Sequence, residues 1–376
     1  MRIAIDARYL NEHLTPLGQY CENLIEHLSL VDTENEYFIF THVSFPKRLF
    51  VGQNFTVRAV RSHPISLATL YRLDRQLERI NPRILHVLYP IVPPRYGGRV
   101  VATVHDVKTM LLDQTTRGFH QIGAHMAQAF TRWMFPRAIR RADVIACVSH
   151  ATRRNLADLM PETLHRSLVI HSGLEPSYLP PLDSTTVDLV LAKHRPPKRF
   201  LYYTGPVRPA ANLPNMLSAF AQLRNDDAFS TLHFVIDSPG GRALHELQRL
   251  VGRMGLREVV RFYENIADSE RRVFYDQSEA LCFLARNEGF GFPILQAQAT
   301  ATPVLAADSG ALPEIAGAGA LLVDCDSIPA ITEGMRRILS DEALRADLIL
   351  SGQKNVKKFQ WKKTAEQVRD IYNFVF

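Results

Sequence analysis

The sequence predicts an α/β protein made of two Rossmann-like, doubly wound domains facing each other across a cleft. Three observations predict it. Short β-rich apolar runs alternate with helical patterns almost throughout the 376 residues, and that alternation means parallel sheets covered on both faces. The strand candidates are too many for one small sheet, and the chain is too long for one ordinary core. Finally, residues 175–198, EPSYLPPLDSTTVDLVLAKHRPPK, carry five prolines and no clear strand, which marks a break between two β-α series.

In chain order, the first series has strand candidates RIAIDA, YFIFTHV, ILHVLYP, VVATVHDV, DVIACVS and LVIHSG. Helices are expected at 17–29, 66–80 and 119–141. The second series has FLYYTG, LHFVID, VVRFYEN, EALCFLA, PVLAAD and ALLVD, with helices at 213–224, 241–254 and 328–340. A last helix, roughly 362–375, follows the non-periodic KKFQW. The division read from this is 1–178, a linker at 179–198, 199–358, and a C-terminal helical segment 359–376 expected to pack back towards the first domain. Ligands of open α/β sheets bind beyond the carboxyl ends of the strands, so a cleft between two such domains is the expected site.

Composition narrows the function. Apolar residues at 46% and charged residues at 22% exclude a disordered chain. The net charge of +6 is concentrated in Lys47, Arg48, Arg58, Arg61, Arg72, Arg75, Arg79 and Arg83, and in Arg132, Arg137, Arg140 and Arg141. Such faces suit anionic partners, or are simply solvated helix surface. The arginines lack the interleaved aromatics of a nucleic-acid module, so no nucleic acid is expected as partner. Cys21, Cys147, Cys282 and Cys325 show no paired spacing, and Cys147 and Cys282 sit in apolar runs as small core residues of a reducing compartment. Met1-Arg2-Ile3 already reads as a strand, and no apolar run approaches the ~20 residues of a membrane span. The expectation is a cytoplasmic protein, able to lie on the inner face of a membrane.

The stretch NEGFGFPILQ, 287–296, carries the chemistry. EALCFLA is a buried strand, Arg286-Asn287-Glu288 leaves it, and Gly289-Phe290-Gly291 turns tightly. Pro293 suits the first turn of a helix. Two glycines let backbone N–H groups approach a ligand, and the helix behind them points its positive end at the turn. That arrangement binds an anion, while an acid just ahead of it accepts hydrogen bonds from sugar hydroxyls.

With these residues the chain resembles the retaining glycosyltransferases of family 4, of GT-B fold. The resemblance also runs through ADVIACVSHATRRNL (142–156), ARNEGFGFPILQAQATATPVLAADSGALPEIAGAGALLVD (285–324), FQWKKTAEQVRDIY (359–372) and the opening MRIAIDARYLNEHLTPLGQYCENL. It implies that the first domain serves the acceptor and the second binds a nucleotide-diphosphate sugar, GDP- or UDP-linked. Glu288 would lie at the donor sugar, and the Gly289-Phe290-Gly291 backbone would cradle sugar and diphosphate. Gln296 stands where the family has a second acid on the ribose. His105, ending VVATVHDV, matches a histidine near the reacting centre, while Asp106 reads as structural. Ser309 and Gly310 match a loop close to the nucleotide, and Glu314 there reads equally as a helix cap.

The departures lie at the phosphates. Of the family's N-terminal glycine loop only Gly18 and Tyr20 fit, with Gln19 where an arginine is usual. After FLYYTG, in the stretch opened by Gly205, the basic pair falls on Ala210 and Ala211, leaving Arg208 nearby. Losing two charge-assisted hydrogen bonds slows transfer by on the order of 10²–10⁴-fold unless Arg208, Lys108 or Arg286 replaces them. No His, Asp and Glu set reads as a metal site, so no metal or other cofactor is expected. The implied function is hexosyl transfer, mannosyl first, to a glycan or lipid-linked acceptor in bacterial surface polysaccharide synthesis. The alternative is a catalytically weak or inactive paralogue that binds a glycan or stabilises a partner. The segment 118–143, with Phe130, Trp133, Phe135 and clustered arginine, reads equally as a helix on an anionic membrane and as a core-facing helix with a basic outer side.

Overall fold

Met1–Gly173 together with Phe359–Phe376 forms one unit, and Leu174–Lys358 forms a second. In this computed structural model the described residues are 1–10, 15–45, 49–62, 65–66, 68–107, 122–264 and 266–375, the side chains at 70 and 122–128 excepted. Lys47, Arg48 and Lys108 lie outside them.

The first unit is built on β1 (Arg2–Asp6), β2 (Glu36–His42), β3 (Phe55–Val60), β4 (Ile84–Val87), β5 (Arg99–Val104), β6 (Val144–Cys147) and β7 (Ser167–Val169). The strands are parallel, in the order β3-β2-β1-β4-β5-β6-β7. The winding reverses between β1 and β4, which opens a crevice at their carboxyl ends. The second unit carries β8 (Phe200–Thr204), β9 (His233–Ser238), β10 (Val260–Glu264), β11 (Ala280–Phe283), β12 (Val304–Ala307) and β13 (Leu321–Val323). These are also parallel, in the order β10-β9-β8-β11-β12-β13, with the reversal between β8 and β11. Each unit is thus a doubly wound Rossmann-like sheet.

The strands read from sequence are present, because their runs are buried on both faces: β4, β6, β8, β11 and β12 are buried throughout. One strand escaped that reading. FTVRAV forms the edge strand β3, where only Phe55 and Val60 are buried, so its polar and exposed residues hide the signal. The proline-rich stretch also differs from the linker expected at 179–198. Ser184–His194 is a helix of the second unit, started by Asp183, whose carboxylate accepts the Thr186 N–H at 3.0 Å. Its prolines flank the helix rather than enter it.

The helix Trp361–Val375 belongs to the first unit. Thr364 Oγ1 donates to the His171 carbonyl at 2.7 Å, and Trp361 packs edge-on against Tyr20 at 5.4 Å. Deeper in, Tyr372 Oη lies 2.6 Å from His86 Nδ1, and Thr103 Oγ1 lies 2.8 Å from His86 Nε2. This network joins the last helix to β4 and β5. His86 is fully buried, and desolvation lowers its pKa to about 3.

The unfolded chain binds a proton near pH 6.5 that native His86 refuses until about pH 3, so native stability falls as pH drops through that window. At pH 5 the loss is about 2 kcal/mol from this residue. Urea midpoints at pH 7 and pH 5 measure it, and a His86→Gln variant is expected to show a shallower acid slope. An unchanged slope would contradict the assignment.

Helix Ile122–Arg141 is core-facing along Thr131, Met134, Phe135, Ala138 and Ile139. Its outer side carries Arg132, Trp133, Arg137, Arg140 and Arg141. Arg137 stacks 4.6 Å over the half-exposed Trp133 ring. No described helix is long and apolar enough to cross a membrane.

Candidate functional site

In the second unit the loops after β8, β11 and β12 are stitched together at the reversal point. Arg286, just past β11, donates its N–H to the Ala210 carbonyl at 2.9 Å. The Ser309 hydroxyl donates to the Arg286 carbonyl, and the Ala311 N–H donates to Glu288 O at 3.1 Å. Gly310 sits at φ +62°, where a Cβ would stand 3.0 Å from Glu288 O. Gly291 sits at φ +96°, with a would-be Cβ 2.7 Å from Leu312 Cδ2. Both positions need glycine for conformation, and Gly310, against backbone, for space as well. Gly205 fixes the third loop by donating its N–H to the Asp237 carbonyl at 3.0 Å.

From Gly291 the chain enters helix Phe292–Ala299, with Pro293 in its first turn and no side-chain cap. Phe290 is buried and packs against Phe292, with ring centroids 4.9 Å apart. The helix therefore directs its partial positive charge at Gly289-Phe290-Gly291. Glu288 stands beside this turn, and Arg208 Nη2 donates to Glu288 Oε2 at 2.5 Å. The sequence could not place that contact, which spans 80 residues. Arg286 is held by Asp326 at 2.6 Å.

Gln296, expected at the ribose, is tied into the interior of the second unit. Its side chain is only 6% exposed, and both ends of the amide are engaged inside the unit. Tyr275 Oη donates to Oε1 at 2.9 Å, and Nε2 donates to Glu175 Oε2 at 3.2 Å. Each end of the amide keeps one further hydrogen-bonding site, but the side chain is nearly closed off from solvent.

Three groups were missed by sequence reasoning. Asp237, 2% exposed, closes β9 and accepts from Arg271 Nε at 2.7 Å, Thr204 Oγ1 at 3.0 Å and Tyr202 Oη at 3.1 Å. An acid ending the LHFVID strand was the available signal. Glu175 was read as the start of a spacer. Asp324 and Asp326 flank Cys325 just after β13, an acid pair the metal reading passed over, and the three ligand atoms lie within 4.8 Å of one another. Both acids have partners: Asp324 Oδ1 accepts the Asp326 N–H at 2.9 Å, and Asp326 takes Arg286. Burial pushes the Cys325 thiol up, keeping it protonated.

The first unit holds the other two expected residues. His105 follows β5, and its Nε2 lies 3.1 Å from the Leu88 carbonyl. A carbonyl only accepts, so Nε2 carries the proton and Nδ1 is the acceptor. Burial lowers the pKa to about 4, so the ring is neutral at pH 7. The edge of Tyr20 packs on it at 4.5 Å. Gly18 is the third residue of helix Pro16–Val31, and its N–H donates to the capping Thr15 Oγ1 at 3.1 Å. The amide expected to serve a phosphate therefore caps its own helix.

Comparison with known proteins agrees with this architecture. Residues 18–178 match the family model described as Glycosyltransferase Family 4, and residues 191–355 match Glycosyl transferases group 1. The O-antigen chain mannosyltransferase B of Escherichia coli is 22% identical over 100% of both chains. A D-inositol 3-phosphate glycosyltransferase of Nocardioides sp. is 26% identical over 62% of this chain, which spans 54% of that relative. Among solved structures, sucrose-phosphate synthase from Thermosynechococcus elongatus superposes with a TM-score of 0.78 at 17% identity, covering 100% of this chain and 99% of that one. WaaG, a glycosyltransferase involved in lipopolysaccharide biosynthesis, superposes with a TM-score of 0.74 at 14% identity over 98% and 99%. With consecutive family matches on both units and the shared two-sheet fold, the chain belongs to the family 4, group 1 glycosyltransferases of GT-B fold.

Proposed function

We propose that the chain transfers a hexose from a nucleotide-diphosphate sugar to a glycan or lipid-linked acceptor, with retention of configuration, in surface polysaccharide synthesis. The stitched loop ahead of helix Phe292–Ala299 carries the reading: a helix end with no side-chain cap, a glycine turn and an acid in one place. The 289–291 backbone and the helix N-terminus hold the diphosphate, with Arg208 as the adjacent cation, in place of the basic pair absent at Ala210 and Ala211. Glu288 orients the donor sugar. On the first unit, neutral His105 offers Nδ1 as acceptor to a sugar hydroxyl. The departing phosphate takes the acceptor's proton, so no separate base is required.

Mannose is the first sugar to test, since a relative matched along its whole length is named a mannosyltransferase. Solved neighbours of the same fold carry UDP or UDP-glucose, which keeps UDP beside GDP as the nucleotide. Calorimetry with UDP and GDP is expected to show micromolar binding of one of them. A folded chain that binds neither would overturn the donor reading and favour a non-catalytic paralogue. The reaction is expected to proceed unchanged in excess chelator, because the charge on the leaving phosphate is met by amides and Arg208; a requirement for added divalent cation would contradict this. The Trp133 and arginine face of helix Ile122–Arg141 is the proposed contact with anionic lipid. Salt-sensitive co-sedimentation with phosphatidylglycerol vesicles, weakened by Arg137→Glu, tests it.

A further inference from the structure

Behind the loop of the second unit lies a polar cluster that the donor reading leaves unused. Tyr275, Gln296, Glu175 and Tyr178 sit together in it. The direction of its hydrogen bonds is fixed. A phenol oxygen next to an amide carbonyl must donate, so Tyr275 fixes the amide of Gln296 with Nε2 outward. That nitrogen donates to Glu175 Oε2. Glu175 is therefore an oriented acceptor. Its Oε1 is buried and has no hydrogen-bond partner, and neither has the Tyr178 hydroxyl beside it. Buried polar atoms left in this state call for a ligand or a water to complete them.

The same geometry explains why position 296 holds an amide. A carboxylate there would face Glu175 across 3.2 Å, and two acids at that separation share a proton instead of both ionising. The amide avoids that competition and supplies Glu175 with a donor, against the burial that raises its pKa.

We infer that Glu175 is the carboxylate of this unit that receives the vicinal diol of a nucleotide ribose, with Gln296 as its positioning residue. The inference rests on the donor reading above. Distance along the helix selects ribose over the transferred sugar. Gln296 lies four residues beyond Phe292, about 6 Å into the helix whose end would hold the diphosphate. Glu288, which already has Arg208, precedes that end in the chain. A carboxylate accepts two hydroxyls of a diol with its two oxygens, and Oε1 has that capacity unfilled.

Calorimetry separates the possibilities. UDP, GDP and their 2′,3′-dideoxy forms are titrated into wild type, Glu175→Gln and Tyr275→Phe, with a denaturation curve for each variant. Wild type is expected to bind the ribonucleotide about 10- to 100-fold more tightly than its dideoxy form. Glu175→Gln is expected to lose most of that preference while its affinity for the dideoxy form stays unchanged. Tyr275→Phe, which only frees the amide, is expected to lose part of it. Free nucleotides carry no hexose, so the loss cannot come from the transferred sugar. Binding by wild type with the preference intact in Glu175→Gln overturns this inference and leaves the donor reading standing. A wild type that discriminates neither form overturns it too, with water as the occupant. Failure of wild type to bind either nucleotide removes both readings together.

Discussion

Replacing Arg208 with alanine is expected to lower kcat/KM for sugar transfer by about 10²- to 10³-fold, with little effect on folding. Arg208 and Glu288 are paired at 2.5 Å, both side chains partly buried. Truncation does two things at once. It strips a cation from the turn that leads into helix Phe292–Ala299, where the leaving phosphate gathers charge. It also leaves the Glu288 carboxylate without its guanidinium, in a loop pinned by the Ala311 N–H and by Gly310. Losing one partner of such a pair costs about 3–4 kcal/mol of transition-state stabilisation, which is the stated range of rate. The stability cost is expected to stay near 1 kcal/mol, because the pair is only partly buried and water screens it. Arg208→Lys keeps a point charge without the planar fork, so it is expected to recover only part of the activity. In the Arg208→Ala, Glu288→Ala double variant the loss is expected to be well short of the product of the single losses, since both changes break one unit. Arg208→Ala retaining activity within about threefold of wild type would sink the assignment, because that is less than 1 kcal/mol.

The fold was legible wherever burial made the composition one-sided. FLYYT and ALCF are apolar because both faces of β8 and β11 are covered, and they announce themselves as strands. FTVRAV, at a sheet edge, keeps its polar residues and is silent. The helix Ser184–His194 was obscured by neighbouring prolines, although Asp183-Ser184-Thr185-Thr186 already held a capping signal. The site divides in the same way. The strand, turn and helix of 280–299 are local, so the sequence displays them. Arg208 meets Glu288 across 80 residues, and Gln296 meets Glu175 across 121, so neither pairing leaves a trace in spacing. Position 296 shows the consequence. An amide there looks like a weakened ligand contact when only its neighbours in sequence are visible. Its spatial neighbour makes it the support of an acid.

Gly173→Ala tests a different link, between sequence and packing, and its expected effect on stability is the larger one. A Cβ at Gly173 would lie 2.2 Å from the Trp361 backbone nitrogen and 2.6 Å from its Cα. Backbone cannot rotate aside as a flexible side chain can, so the helix Trp361–Val375 must move. Its seat has little room: Trp361 is buried against Tyr20, Thr364 holds the His171 carbonyl, and Tyr372 reaches His86. The cost is expected to be about 3 kcal/mol or more for the first unit, at the upper end for overpacking. A drop of that size corresponds to a lower Tm by roughly 6–12 °C for a unit of this length. Urea denaturation and limited proteolysis near residue 358 measure it. The two residues should also couple. Trp361→Ala alone is expected to cost about 3–5 kcal/mol, but it removes only the indole, not the backbone atoms closest to the new methyl. If the clash is with backbone, Gly173→Ala remains costly in the Trp361→Ala background. If that background instead absorbs the whole effect, the indole and not the main chain is what glycine makes room for, and the close approach of the two segments is not what fixes this position.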